Sequence, residues 1–92
     1  MRVERVEILA DRTNAAVMRH PDRRFPGVLI QGDTLYTLCQ GADAACREAG
    51  RASAAFDRMN DVRNHLWELL NHYKITLAEH DLPLPFSERP LS

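Results

Sequence analysis

Apolar and polar positions change their period once along this chain, close to residue 32. Over residues 3–10, Val6, Ile8 and Ala10 alternate with Arg5 and Glu7, the two-residue repeat of a half-buried strand, and Glu4 and Leu9 are imperfections in it. Asp11, Arg12, Thr13 and Asn14 are turn material, because Asp and Asn side chains bond nearby backbone amides. Residues 15–19 read as a second strand, although Ala15 and Ala16 are poor strand formers. So short a connection predicts an antiparallel hairpin. Residues 20–27 read as a loop holding Pro21 and Pro26, neither of which can donate to a sheet ladder. Val28, Leu29 and Ile30 form a short apolar run, read as a third strand buried on both faces or nearly so.

Beyond Gly32 the repeat lengthens. Leu35, Leu38, Cys39, Ala42, Ala45, Cys46 and Ala49 recur every three or four residues, which is one face of a helix. Asp33 is the expected N-cap and Gly50 the expected stop. A rival reading makes residues 31–34 a tight turn and residues 34–38 a fourth strand, but the apolar period running on to Ala49 favours helix. Gly41 inside that helix costs about 1 kcal/mol relative to Ala. A second helix follows, capped by Ser53, with a heptad-like seam at Ala55, Met59, Val62, Leu66, Leu69 and Tyr73, widened by Phe56 and Leu70. Pro83 and Pro85 forbid continuation much past His80.

These patterns predict an α+β fold: a small three-stranded antiparallel sheet, then an antiparallel two-helix hairpin with a long second helix, in a single domain over residues 1–92. The sheet occupies residues 1–32, the hairpin 33–81 and an extended Pro-rich tail 82–92. At about 1.5 Å per residue, helices over 34–49 and 54–80 span roughly 24 Å and 40 Å. The longer one is therefore expected to overhang, with Leu69, Leu70, Tyr73 and Leu77 left to cover the sheet, a second copy or another protein. In the tail, Phe86 or Leu84 is expected to pack back onto the domain, with a docking segment as the rival reading.

Composition narrows function more than fold. The chain is 45% apolar and 27% charged, an ordinary globular mix, with net charge −1 from 12 basic and 13 acidic residues. That balance gives no bulk reason to expect nucleic acid or an anionic membrane as a partner. No apolar run approaches the roughly 20 residues of a membrane span, and the first residues lack the apolar centre of a signal peptide. Cys39 and Cys46, seven apart on a helix, are separated by about 10 Å, too far for a mutual disulfide. A reducing cytoplasm is the expected location.

Few residues suggest chemistry. Asp61, His65, Glu68 and His72 step along one stripe of the long helix and are of the types that ligate zinc or iron, which leaves a metal-dependent enzyme as one reading. A single helix presents such groups as adjacent pairs, however, and a solvated polar flank is the plainer reading; no metal or cofactor is expected. Cys39 and Cys46 lie on an apolar face where thiols are inert, and the hydroxyls lack a nucleophile-elbow context, so the sequence leans away from an enzyme. Arg19, His20, Arg23 and Arg24 are the one local basic cluster, interrupted by Asp22 and suited to a phosphate or, at least as well, to the carboxylates of an acidic protein. The bland alternative is a solvated loop with one arginine folded back on Glu4 or Glu7. Asn60, Asn64, Trp67 and Asn71 form a stripe in which the tryptophan is either an interface anchor or core.

The run Arg23, Arg24, Phe25, Pro26, Gly27, Val28, Leu29, Ile30, Gln31, Gly32, Asp33, Thr34, Leu35, preceded by residues 6–9 and 14–17, resembles a family of small bacterial proteins of unknown function. The likeness extends more loosely to His72, Tyr73 and residues 77–80. The family carries no established activity; by analogy of size and style, compact bacterial proteins of this type resemble immunity or accessory proteins encoded beside toxins. The leading expectation is therefore a non-catalytic protein-binding module, an inhibitor or immunity protein of a bacterial toxin. Its expected contacts are Arg19, Arg23, Arg24, Asn64, Trp67 and Asn71. The alternatives are a homodimeric structural subunit joined through the long helix and the metal-dependent enzyme.

Overall fold

The structure is a computed structural model that describes residues 1–88; the part of the tail expected over 89–92 lies outside them. The order of elements is β1 (Glu7–Ala10), β2 (Ala15–Arg19), β3 (Gly27–Ile30), α1 (Gly32–Ala49) and α2 (Ala54–Glu79), the α+β arrangement read from the sequence. The chain divides into two compact units, Met1–Gln31 and Gly32–Ser92.

In the first unit the strands lie in the order β1-β2-β3, each pair antiparallel. Glu7 opposes Arg19 and Ile8 opposes Met18, but Ala10 opposes Val17, so Leu9 is an extra residue in β1. This β-bulge corrects the expected face. Ala10 joins the side that carries Glu7 and Val17, while Ile8 stays with Met18, because a bulge interrupts the two-residue alternation. The interruption that Leu9 makes in the sequence pattern is thus a structural one. β2 and β3 pair without slippage, from Ala15 with Ile30 to Met18 with Gly27.

No residue of this unit is fully buried. Val28, Leu29 and Ile30 are 60%, 56% and 42% exposed, against the expectation of a strand buried on both faces. The reason is position: β3 is an edge strand, with β2 on one side only, and three short strands cannot cover both faces of their own sheet.

In the second unit, α1 buries Leu35, Cys39, Ala42 and Cys46, while Leu38 of the expected face is exposed. Asp33 lies inside the first turn rather than capping it, because α1 already begins at Gly32; its carboxylate accepts the Thr34 N–H at 2.9 Å. Gly50 takes φ 75°, the left-handed conformation that ends α1. Ser53 caps α2 as expected, its hydroxyl accepting the Phe56 N–H at 3.2 Å.

The core consists of Leu35, Cys39 and Leu70, with Tyr36, Leu66, Trp67, Tyr73 and Phe86 packed against it. Gly32 is buried against the Tyr73 phenol, so the start of α1 meets α2 well along its length. The expected overhang is correspondingly short. Leu70 and Tyr73 lie within the paired region, Leu77 is half-buried, and Leu69 is exposed on another side of α2. The tail folds back, Phe86 stacking on Tyr36 with ring centroids 4.3 Å apart and Lys74 meeting Glu88 at 2.6 Å. Among the described residues, no helix is long and apolar enough to cross a membrane.

Candidate functional site

The loop between β2 and β3 is shaped by residues at its start. The His20 carbonyl accepts the Arg23 N–H at 3.0 Å, and its Nδ1 accepts the Asp22 N–H at 3.1 Å, closing a turn around Pro21. Arg19, the last residue of β2, donates from Nη1 to the Arg24 carbonyl at 3.4 Å. Its Nε stands 3.8 Å from the Glu7 carboxylate, directly across the strand pair. Arg19 therefore ties the loop to the sheet, and it is the arginine that folds back on Glu7.

Arg23 and Arg24 are left over. Both are exposed, and among the described residues neither joins an ion pair. The Arg24 guanidinium lies 5.3 Å from the centre of the Phe25 ring, within range of the attraction between a cation and an aromatic face. Phe25 is itself 73% exposed. Beneath the two arginines the loop and the sheet enclose an open groove of about 520 Å³, with Val6, Met18, Phe25 and Leu29 among its walls. Its lining is mostly apolar, with Arg23 and Arg24 adding basic groups. Such a shape accepts a large apolar side chain while forked hydrogen bonds hold a carboxylate.

Val6, Met18 and Phe25 did not stand out as contact residues in the sequence. The signal was there in part, since Val6 and Ile8 share a face by alternation, but only the strand register adds Met18, which lies opposite Ile8.

The other expected contacts belong to the helical unit. Asn64 and Asn71 are exposed on α2, whereas Trp67 is half-buried against the core. Its indole Nε1–H donates to Asp43 Oδ1 at 3.1 Å, and Arg63 Nε stands 3.8 Å from the same oxygen. Arg63 in turn donates to the Asn60 side chain. Trp67 is thus engaged between the helices.

Of the stripe Asp61, His65, Glu68 and His72, the structure brings His65 and Glu68 together at 4.0 Å on an open surface. Among the described residues, no three His, Cys, Asp or Glu side chains converge closely enough to hold a metal ion. Cys39 and Cys46 are free and buried. Burial pushes the Cys39 thiol above the ordinary value of 9.0, with the Asp43 carboxylate adding to the shift. A thiol so held stays protonated and unreactive.

Residues 1–86 match the family of unknown function DUF6959. The chain belongs to that family. The DUF6959 match takes in the sheet, the Arg23–Arg24 loop, both helices and the tail as far as the Phe86 ring. No curated protein and no solved structure matches the chain.

Proposed function

We propose that the chain is a non-catalytic protein-binding module that contacts its partner through the groove beneath Arg23 and Arg24. The observation that carries this reading is two exposed guanidinium groups that join no ion pair among the described residues and line one groove with apolar side chains. A solvated basic loop has no use for an exposed Phe25 and an open apolar groove. A nucleic-acid reader would continue the basic surface, and the chain as a whole carries net charge −1. An acidic protein supplies both the carboxylate and the apolar side chain. Asn64 and Asn71 remain proposed contacts on the helical unit, while the indole of Trp67 is engaged by Asp43.

In its specific form the partner is a bacterial toxin and the chain its immunity protein or inhibitor, acting in the cytoplasm. A small chain with two free thiols suits that setting. The test is capture from the native host with wild-type chain and with Arg23→Ala/Arg24→Ala, followed by mass spectrometry. A partner held by the wild type and reduced at least tenfold by the double substitution supports the reading. A catch that does not depend on the arginines overturns it.

A second reading, a homodimer through the long helix, is favoured by Val62 and Leu69, exposed at 50% and 59% and seven residues apart on α2. Light scattering that returns a strict monomer removes it.

A further inference from the structure

We propose that the partner enters as an extended segment added as a fourth strand to the free edge of β3, antiparallel to it. This inference rests on the protein-binding reading above and says how that binding occurs. β3 has β2 on one side only, so every second residue turns an unpaired N–H and C=O outward. All of Gly27, Val28, Leu29 and Ile30 are exposed, and none is charged. The opposite edge is different. β1 carries the bulge at Leu9, which breaks the ladder, and Glu7 places a charge on it. Of the two edges, only β3 offers a regular row of backbone partners.

The chemistry of the occupant follows from what surrounds that row. Arg23 and Arg24 precede β3 in the chain, and the groove with Met18, Phe25 and Leu29 in its walls opens beside it. Strand addition takes its affinity from backbone hydrogen bonds and its selectivity from pockets for alternate side chains. A strand running antiparallel to β3 carries its C-terminal end past Gly27 toward the arginines. The segment recognised is therefore apolar at alternate positions and followed by Asp or Glu. The complementarity is to carboxylates, so a second copy of the same edge, which brings two more arginines and no acid within β3, fits less well.

The test uses the full chain and displayed random decapeptides as the probe. The expected consensus is apolar residues alternating ahead of an acidic one. Bound peptide should slow hydrogen exchange at every second amide of β3. Arg23→Glu/Arg24→Glu should weaken the selected peptide at least tenfold, and repeating the selection on that variant should return Lys or Arg instead. Leu29→Lys, on the edge, should weaken binding, whereas Leu9→Lys, a comparably exposed apolar position on β1 outside the groove lining (54% against 56%), should leave it unchanged. Failure to enrich any peptide, a consensus without acid, or protection of β3 in a peptide-free dimer overturns the proposal. Arginine-dependent binding with β3 amides still exchanging freely sinks strand addition and leaves the protein-binding reading standing. Binding indifferent to the arginines sinks both.

Discussion

At Gly32 the absence of a side chain lets the Tyr73 phenol lie against the first turn of α1, and a Cβ there would clash with the hydroxyl-bearing edge of the ring. Gly32→Ala gains about 1 kcal/mol of helix propensity, yet overpacking of this kind costs about 1–3 kcal/mol, so the variant should be less stable in urea. In a Tyr73→Ala background the same change should turn neutral or stabilising, and a double-mutant cycle measures that reversal. Asp81 illustrates the opposite case. It follows α2 with φ 54°, its N–H bonded to the Ala78 carbonyl and that of Leu82 to Leu77, a helix end that favours glycine. Its carboxylate also faces the negative end of the helix dipole. Asp81→Gly should therefore raise stability by about 1 kcal/mol in thermal or urea unfolding. Cys39 predicts a pH effect. Its thiol holds its proton more firmly folded than unfolded, so its contribution is complete below pH 9.0 and is lost as pH rises above that value. Urea titrations between neutral and strongly alkaline pH should show a steeper loss for the wild type than for Cys39→Ala.

Among the elements, α2 shows what periodicity can and cannot tell. Its inward face is Phe56, Met59, Leu66, Trp67, Leu70 and Tyr73, together with half-buried Asn60 and Arg63. The seam expected from apolar spacing took in Ala55, Val62 and Leu69, all of which are exposed, so the real face is rotated along the helix. Period and length made the helix and its Ser53 cap legible. The rotation was not legible, because Arg63 is drawn inward by Asp43, an acid on the other helix that no local pattern connects to it. The bulge at Leu9 escaped for a similar reason, since an extra residue in one strand has meaning only against its partner's register. For the candidate site, Arg23 and Arg24 were readable as unemployed charge, but the groove was not. The tail belongs at this scale too. Phe86 covers Tyr36, and Phe86→Ala should lower stability by about 1–3 kcal/mol, as loss of a half-buried aromatic pair does. Thermal unfolding monitored by circular dichroism measures it.

For the whole molecule, the division of labour between the units is uneven. Every fully buried side chain, from Leu35 to Leu70, belongs to Gly32–Ser92, while Met1–Gln31 keeps Ile8, Leu9, Val28 and Leu29 exposed. Small sheets need an apolar face to be covered before they are stable alone. A peptide of residues 1–31 should accordingly show no cooperative unfolding, whereas the full chain should, when both are followed by circular dichroism against urea. The uncovered sheet side chains are also where a binding surface can be had without disturbing the core.

The extra residue in β1 has one more consequence. A sheet open at both ends can add copies of itself without limit, each new edge seeding the next, which is how fibres grow from otherwise well-folded chains. With Leu9 interrupting one side, a strand that joined at β3 would find no equally regular row of partners on the far side, which works against further addition.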